Sequence, residues 1–170
     1  MTAHPLRAPD LSAIAAAFLA AQVRFVVIGG FAVIANRHIR TTVDVDLLIP
    51  DDAANDEACL RALHELDAAR ESDGAPVTRD MLTDREHLRV RTRSGIVDLV
   101  REGPAPLDFA TVASRALRAD LGAGPFHVAG LASLVGFKRL AGRPQDRADL
   151  AELEAIHGEL PIDPIPGLDT

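Results

Sequence analysis

The chain has 170 residues, 48% of them hydrophobic, and a formal charge of −7, which suits one packed domain and argues against broad, sequence-independent binding to a phosphate polymer. Its single cysteine, Cys59, excludes an intrachain disulfide and a cysteine-based zinc site. The apolar run Ile14 to Ala21 is only eight residues and the N-terminus shows no leader pattern, so a cytoplasmic protein is expected.

Asp10 is placed to cap a first helix, in which Leu11, Ile14, Ala15, Phe18 and Leu19 recur at helical spacing. Phe25 to Ile28 is expected to be a buried strand, followed by a Gly29-Gly30 turn, a short helix from Phe31 to about Arg37, and a second strand from Val43 to Ile49. Pro50 and Asp51-Asp52 end that strand and open a third helix with Leu60, Leu63 and Leu66 on one face; Glu71 to Thr78, with Gly74 and Pro76, is expected to be a loop. Alternation marks Leu88 to Arg93 as a strand, Ser94-Gly95 suits a hairpin turn, and Ile96 to Val100 returns. In that register Arg93 faces Ile96 and Arg91 faces Asp98, so Arg89, Arg91 and Asp98 share a face. A short helix over Asp108 to Arg115 and a loose hairpin around Leu121 to Pro125 come next. Two helices, Leu131 to Ala141 and about Gln145 to His157, are separated by Gly142-Arg143-Pro144. The expected organisation is one domain over residues 1–158 and a poorly ordered proline-rich tail over 159–170.

The chemistry concentrates between Phe25 and Pro50. Asp44 and Asp46 lie two apart on the second strand, so both carboxylates project to one side, their Cα atoms about 6.5 to 7 Å apart. Like charges held together on an otherwise apolar strand repel strongly. A divalent cation removes that cost, and Mg²⁺ prefers one or two carboxylates with water and substrate phosphates filling its other positions. Gly29 and Gly30, free of side chains at a strand-to-helix corner, would let a phosphate approach backbone N–H groups. Each feature has a plainer counterpart: a solvated polar strand face for Asp44 and Asp46, a tight turn for Gly29-Gly30, an Arg91 ion pair for Asp98, a charged strand face for Arg89, Arg91 and Arg93, and an amphipathic surface for Lys138.

In order, Gly29-Gly30, then Arg40, Thr42, Asp44 and Asp46, then Asp98 in an apolar strand resemble the minimal nucleotidyltransferase superfamily. Leu134 to Leu150, with Lys138, Asp146 and Asp149, is similar to the terminal helices of its toxin-type branch, which serves toxin–antitoxin and abortive-infection systems. The resemblance implies an α/β (α+β) fold, a mixed sheet flanked by helices with two further helices at the C-terminus. It implies transfer of a nucleoside monophosphate from a nucleoside triphosphate to a hydroxyl of an RNA or protein acceptor. Asp44, Asp46 and Asp98 would be catalytic and would hold two Mg²⁺ ions, with Asp98 either ligand or proton acceptor. Gly29, Gly30, Arg40, Thr42, Lys138 and Asp149 would bind or frame the triphosphate, and a cognate toxin or antitoxin would be the protein partner. Two alternatives stand beside this: transfer to a small molecule of the aminoglycoside type, and a non-catalytic antitoxin or binding subunit. With no Trp or Tyr and six Phe, an RNA partner would be held by shape and phosphate rather than by base stacking.

Overall fold

A computed structural model describes residues 7–169; residues 1–6, read above for a leader, and Thr170 of the tail lie outside it. The elements run α1 (Leu11–Ala20), β1 (Val26–Ile28), α2 (Gly29–Ala35), β2 (Asp44–Ile49), α3 (Ala53–Glu65), β3 (Ala69–Arg70), α4 (Arg79–Thr83), β4 (His87–Thr92), β5 (Gly95–Arg101), α5 (Phe109–Ser114), β6 (Leu117–Asp120), β7 (Pro125–Val128), α6 (Leu131–Ala141) and α7 (Pro144–His157). The seven strands form one mixed sheet in the order β3-β4-β5-β2-β1-β7-β6. β2 is parallel to β5 and antiparallel to β1, which is parallel to β7. Because β1 and β2 are central, their runs are almost wholly apolar: Val26, Val27, Val45, Leu47 and Leu48 are fully buried. One contiguous core joins them to Ile14 and Phe18 of α1, Cys59 and Leu63 of α3, Leu134 of α6 and Leu153 of α7.

The helix starts follow local chemistry. Asp10 accepts a hydrogen bond from the N–H of Ala13 at 3.0 Å, and Asp52 one from Asn55 at 2.7 Å, each satisfying a donor of a first turn. Pro144 opens α7, where a missing N–H costs nothing, and Asp146 reaches back to the N–H of Arg143 at 3.1 Å.

Three expectations are corrected. The β4–β5 turn is Arg93-Ser94, with Thr92 opposite Gly95, so Asp98 faces Arg89 and Arg91 faces Ile96. Two contacts set this register. The Thr92 hydroxyl donates to the Gly95 carbonyl at 2.7 Å, and Pro9 crosses so closely that a Cβ on Gly95 would stand 2.7 Å from its Cα. Gly95 is therefore needed within the strand, under the N-terminal segment, rather than in the turn. Secondly, α2 starts at Gly29 itself, so both glycines belong to its first turn. Thirdly, the C-terminal segment is docked rather than loose. Ile165 is 3% exposed and lies over Gly136 of α6, Arg139 pairs with Asp169 at 2.5 Å, and Arg115 pairs with Asp163 at 2.5 Å. Proline restricts the backbone but leaves side chains free to pack, and Asp163 and Ile165 between the prolines, with Asp169 after them, supply the anchors. β3 and α4 are further short elements that hydrophobic periodicity does not reveal.

Candidate functional site

Strand register brings the three sequence-singled aspartates together. Asp46 on β2 is directly opposite Asp98 on the parallel strand β5, and Asp44 lies two residues back on the same face. One carboxylate oxygen from each lies within 4.8 Å of the other two. Ile28 of β1 stands opposite Asp46 on the other side, so the chain turns into Gly29 immediately beside it. Gly29 has φ +68°, and a Cβ there would fall 2.0 Å from Asp46 Oδ2; a Cβ on Gly30 would fall 2.6 Å from Thr42 Oγ1. Both glycines are thus required by close approach, of the carboxylate at one and of the threonine at the other. Thr42 donates to the Asp44 carbonyl at 3.0 Å, fixing the entry into β2.

Arg89, opposite Asp98 on β4, directs Nη1 between two of the carboxylates, 3.0 Å from Asp44 Oδ2 and 2.7 Å from Asp98 Oδ2. One guanidinium does not satisfy three acids. Burial first, then the neighbouring charges of Asp44 and Asp98, push the Asp46 carboxyl up to about 7, against the opposing pull of Lys138 and Arg143. Burial also raises Asp98, to about 6, with Arg89 opposing and Asp44 adding to the rise. The Asp98 side chain is 4% exposed, and its Oδ1 has no hydrogen-bond donor in line, although His87 Nε2 is 3.0 Å away. A buried acceptor oxygen without a donor, in a set of hard oxygen ligands short of positive charge, fits a divalent cation such as Mg²⁺.

The facing wall is built from α6, α7 and the segment before β2. Lys138 Nζ is 2.9 Å from Asp146 Oδ1 and 2.9 Å from Asp149 Oδ2. Arg40 Nη2 donates to Asp149 at 3.1 Å and its Nη1 to the Thr41 carbonyl at 2.8 Å; Gln145 donates to Asp149 at 3.1 Å. Arg143 Nε donates to Asp146 at 2.7 Å. Burial is the largest single influence on Asp146 and Asp149 and acts upward. The Arg143 and Lys138 hydrogen bonds at Asp146, and the Lys138 and Gln145 bonds with the Arg40 charge at Asp149, outweigh it and hold both below the usual carboxylate range.

Between triad and wall lies a cleft of about 380 Å³ lined by Gly29, Gly30, Asp44, Asp46, Asp98 and Lys138, with Arg40 and Thr42 at its side. An apolar lobe of about 390 Å³ continues from it past Ile28, Val100, Leu134, Phe137 and Leu140. Of the residues that the sequence resemblance assigns to catalysis or triphosphate binding, all except Asp149 line the polar part. Asp149 is fully buried behind it, where it holds Arg40 and Lys138 in place. Three lining residues escape sequence reasoning. His87 looks like one scattered histidine, and Arg143 and Gln145 fall where the chain reads only as a helix break and a helix start. Arg143 carried one signal, its spacing of three from Asp146 at a proline-opened helix start.

No protein-family model matches the sequence, and no curated protein does. Among solved structures, that of ANT(2″)-Ia in complex with adenylyl-2″-tobramycin superposes with a TM-score of 0.52 and 12% identity, covering 84% of this chain and 84% of that one. ANT(2″)-Ia is an aminoglycoside nucleotidyltransferase, and at that identity the likeness concerns architecture. The chain has the nucleotidyltransferase fold, a mixed α/β sheet that carries its acidic cluster on two adjacent parallel strands.

Proposed function

We propose that this chain is a Mg²⁺-dependent nucleotidyltransferase that moves a nucleoside monophosphate from a nucleoside triphosphate to a hydroxyl of an RNA or protein acceptor. The observation that carries it is the convergence of Asp44, Asp46 and Asp98 beside the Gly29-Gly30 corner, with more negative charge than Arg89 neutralises. Asp44, Asp46 and Asp98 would hold two Mg²⁺ ions, which when bound supply charge neutralisation at the phosphates and at the attacking and leaving oxygens. Gly29 and Gly30, where any Cβ would collide with Asp46 or Thr42, present bare backbone to the cleft, in which the phosphates would lie against it. The acceptor oxygen attacks the α-phosphorus, the bond from that phosphorus to the β-phosphate bridging oxygen breaks, and pyrophosphate leaves. Asp98 Oδ1, buried and without a hydrogen bond, is placed either to take the acceptor's proton or to complete the ion site.

Transfer to an aminoglycoside hydroxyl is the second reading, supported by the ANT(2″)-Ia neighbour. Against it, the register continues the Asp44 row through Ile96 to Arg91, and beyond them lies a cleft of about 560 Å³ lined by Arg7, Arg91 and Arg93, with Asp10 as its one acid. Arginines repel a polycation and suit phosphates, which favours an RNA acceptor and a place in the toxin-type branch. A non-catalytic antitoxin or binding subunit is disfavoured by the cost of keeping three crowded carboxylates.

The test is incubation with each labelled nucleoside triphosphate and Mg²⁺, alongside total RNA, protein or aminoglycosides, comparing wild type with the Asp44→Ala/Asp46→Ala double variant. Label in RNA or protein that depends on both aspartates is expected. Label on the aminoglycoside supports the second reading, and equal transfer by the two proteins removes the site.

A further inference from the structure

We infer that Arg143 is the cation that meets the substrate's triphosphate, and that Lys138 is a positioning residue acting on it through Asp146. The inference rests on nucleotidyl transfer at the Asp44–Asp46–Asp98 site and names which side chain of the facing wall receives the phosphates.

Two of the three ammonium donors of Lys138 are engaged inside the wall. Its side chain is 5% exposed and its ammonium bridges Asp146 and Asp149, themselves 1% and 0% exposed. Moving that ammonium to a phosphate would take a cation from two buried carboxylates at once, leaving Asp146 to Arg143 and Asp149 to Arg40 and Gln145, a larger loss than one new contact returns. Arg40 is held the same way, between Asp149 and the Thr41 carbonyl. Arg143 differs from both. Its side chain is 72% exposed, yet one edge of its guanidinium is anchored, Nε to Asp146 Oδ2 at 2.7 Å and Nη2 to Asp146 Oδ1 at 3.3 Å. Its backbone N–H also donates to Asp146, at the N-terminus of α7. A guanidinium has five N–H donors in a rigid plane, so an anchored edge leaves Nη1 and the outer hydrogen of Nη2 aimed away from Asp146. No hydrogen bond engages Nη1 among the described residues.

The location fits the role. Arg143 lines both the polar cleft and its apolar lobe, shares both linings with Gly29 and Asp46, and acts electrostatically on Asp46 and Asp44. A phosphate chain seated against the glycine corner would therefore have the acidic triad on one side and the open edge of Arg143 on the other. The order Lys138 to Asp146 to Arg143 explains why a buried lysine matters to a surface cation: it holds the carboxylate that holds the fork.

Binding of inorganic tripolyphosphate with Mg²⁺, which has the phosphates without base or turnover, tests this by calorimetry alongside the four nucleoside triphosphates. Arg143→Ala is expected to weaken tripolyphosphate and every triphosphate by a similar factor, about ten- to a hundredfold, and Arg143→Lys to recover part of it. Asp146→Asn is expected to weaken binding in the wild-type background and to add nothing in the Arg143→Ala background, and Lys138→Met to behave alike. A protein in which Asp146 merely supports the fold would lose affinity equally in both backgrounds. Unchanged tripolyphosphate binding by Arg143→Ala overturns the assignment while leaving nucleotidyl transfer standing. If the wild-type protein with Mg²⁺ binds neither tripolyphosphate nor any triphosphate, nucleotidyl transfer fails and the inference with it.

Discussion

Asp46→Asn in metal-free protein tests the electrostatics of the acidic cluster directly. Asp46 keeps its proton up to about pH 7 when folded, against 3.8 for an ordinary aspartate. Between those values the folded chain holds a proton that the unfolded chain has released, so stability falls as pH rises. At about 1.4 kcal/mol per pH unit the full difference is ~4 kcal/mol at pH 8. Structural relaxation and partial solvent access bring the expectation to about 2–4 kcal/mol. Asp98, raised to about 6, is driven partly by the same repulsion, so its share does not simply add. Asparagine has the shape of aspartate, fits against Gly29 and cannot ionise. In EDTA, wild type should lose stability from pH 5 to 8, and the variant should follow a flatter course and be the more stable at pH 8, its melting temperature higher by roughly 5–15 °C. Adding Mg²⁺ at pH 8 should restore much of the wild-type loss and do little for the variant. Taking the difference between the two proteins cancels titrations they share. A wild-type stability flat across this range, with Asp46→Asn no more stable at pH 8, would refute the claim that these carboxylates are held short of positive charge.

Three further outcomes follow from the geometry. Gly29→Ala places a Cβ 2.0 Å from Asp46 Oδ2 at φ +68°, so it should cost about 1–3 kcal/mol in unfolding experiments and abolish Mg²⁺ stabilisation by displacing the carboxylate. Arg89→Ala removes the guanidinium between Asp44 and Asp98; the metal-free melting temperature should fall and the increment gained on adding Mg²⁺ should grow, and a smaller increment would count against an ion at that position. Ile165→Ala empties a buried position over Gly136, so denaturant unfolding should show a loss of about 2–4 kcal/mol, whereas a loosely attached tail would show none.

Much of the fold was legible because its central strands and helices carry strong periodic signals: Val26 to Ile28 as a continuous apolar run, Ile14 and Phe18 on one helical face, Asp10 as a cap. Local chemistry failed where a distant contact decided. Ser94-Gly95 is a good turn pair by composition, yet Pro9, remote in sequence, sits on Gly95 and makes it a strand residue, which moves every β4–β5 pair by two positions. The face of Arg89 and Arg91 survived because a shift of two preserves alternation; only the identity of the partner of Asp98 changed. Asp44 and Asp46 were visible as a pair in one strand, while the approach of Asp98 depends on parallel pairing of β2 with β5, which no local pattern dictates. His87 and Arg143 stayed hidden because one only opens strand β4 and the other fills a helix break, where its spacing from Asp146 marks a helix start rather than a site.

The two groups of aspartates in this cleft show how the fold separates structural charge from charge left open for chemistry. Asp146 and Asp149 are as deeply buried as any acid in the protein, yet remain ionised because Lys138, Arg40 and Arg143 are built around them. Asp46 and Asp98 sit across the same cleft with one guanidinium between three acids, and burial raises their carboxyls rather than being overcome. The difference therefore lies in the supply of cations, not in burial. A further Lys or Arg near β2 would have relieved Asp46, as Arg89 partly relieves Asp98, and would also have filled the cleft beside Gly29. The backbone instead gives up side chains there, and the wall with three cations to two carboxylates stands opposite. A ligand that brings divalent cations and phosphates together satisfies both sides at once, cations to the triad and phosphate oxygens to the open edge of Arg143. Neither a bare anion nor a bare cation does so, which is the physical reason to expect binding of triphosphate and Mg²⁺ to be strongly cooperative at this cleft, each raising the affinity for the other by the same factor.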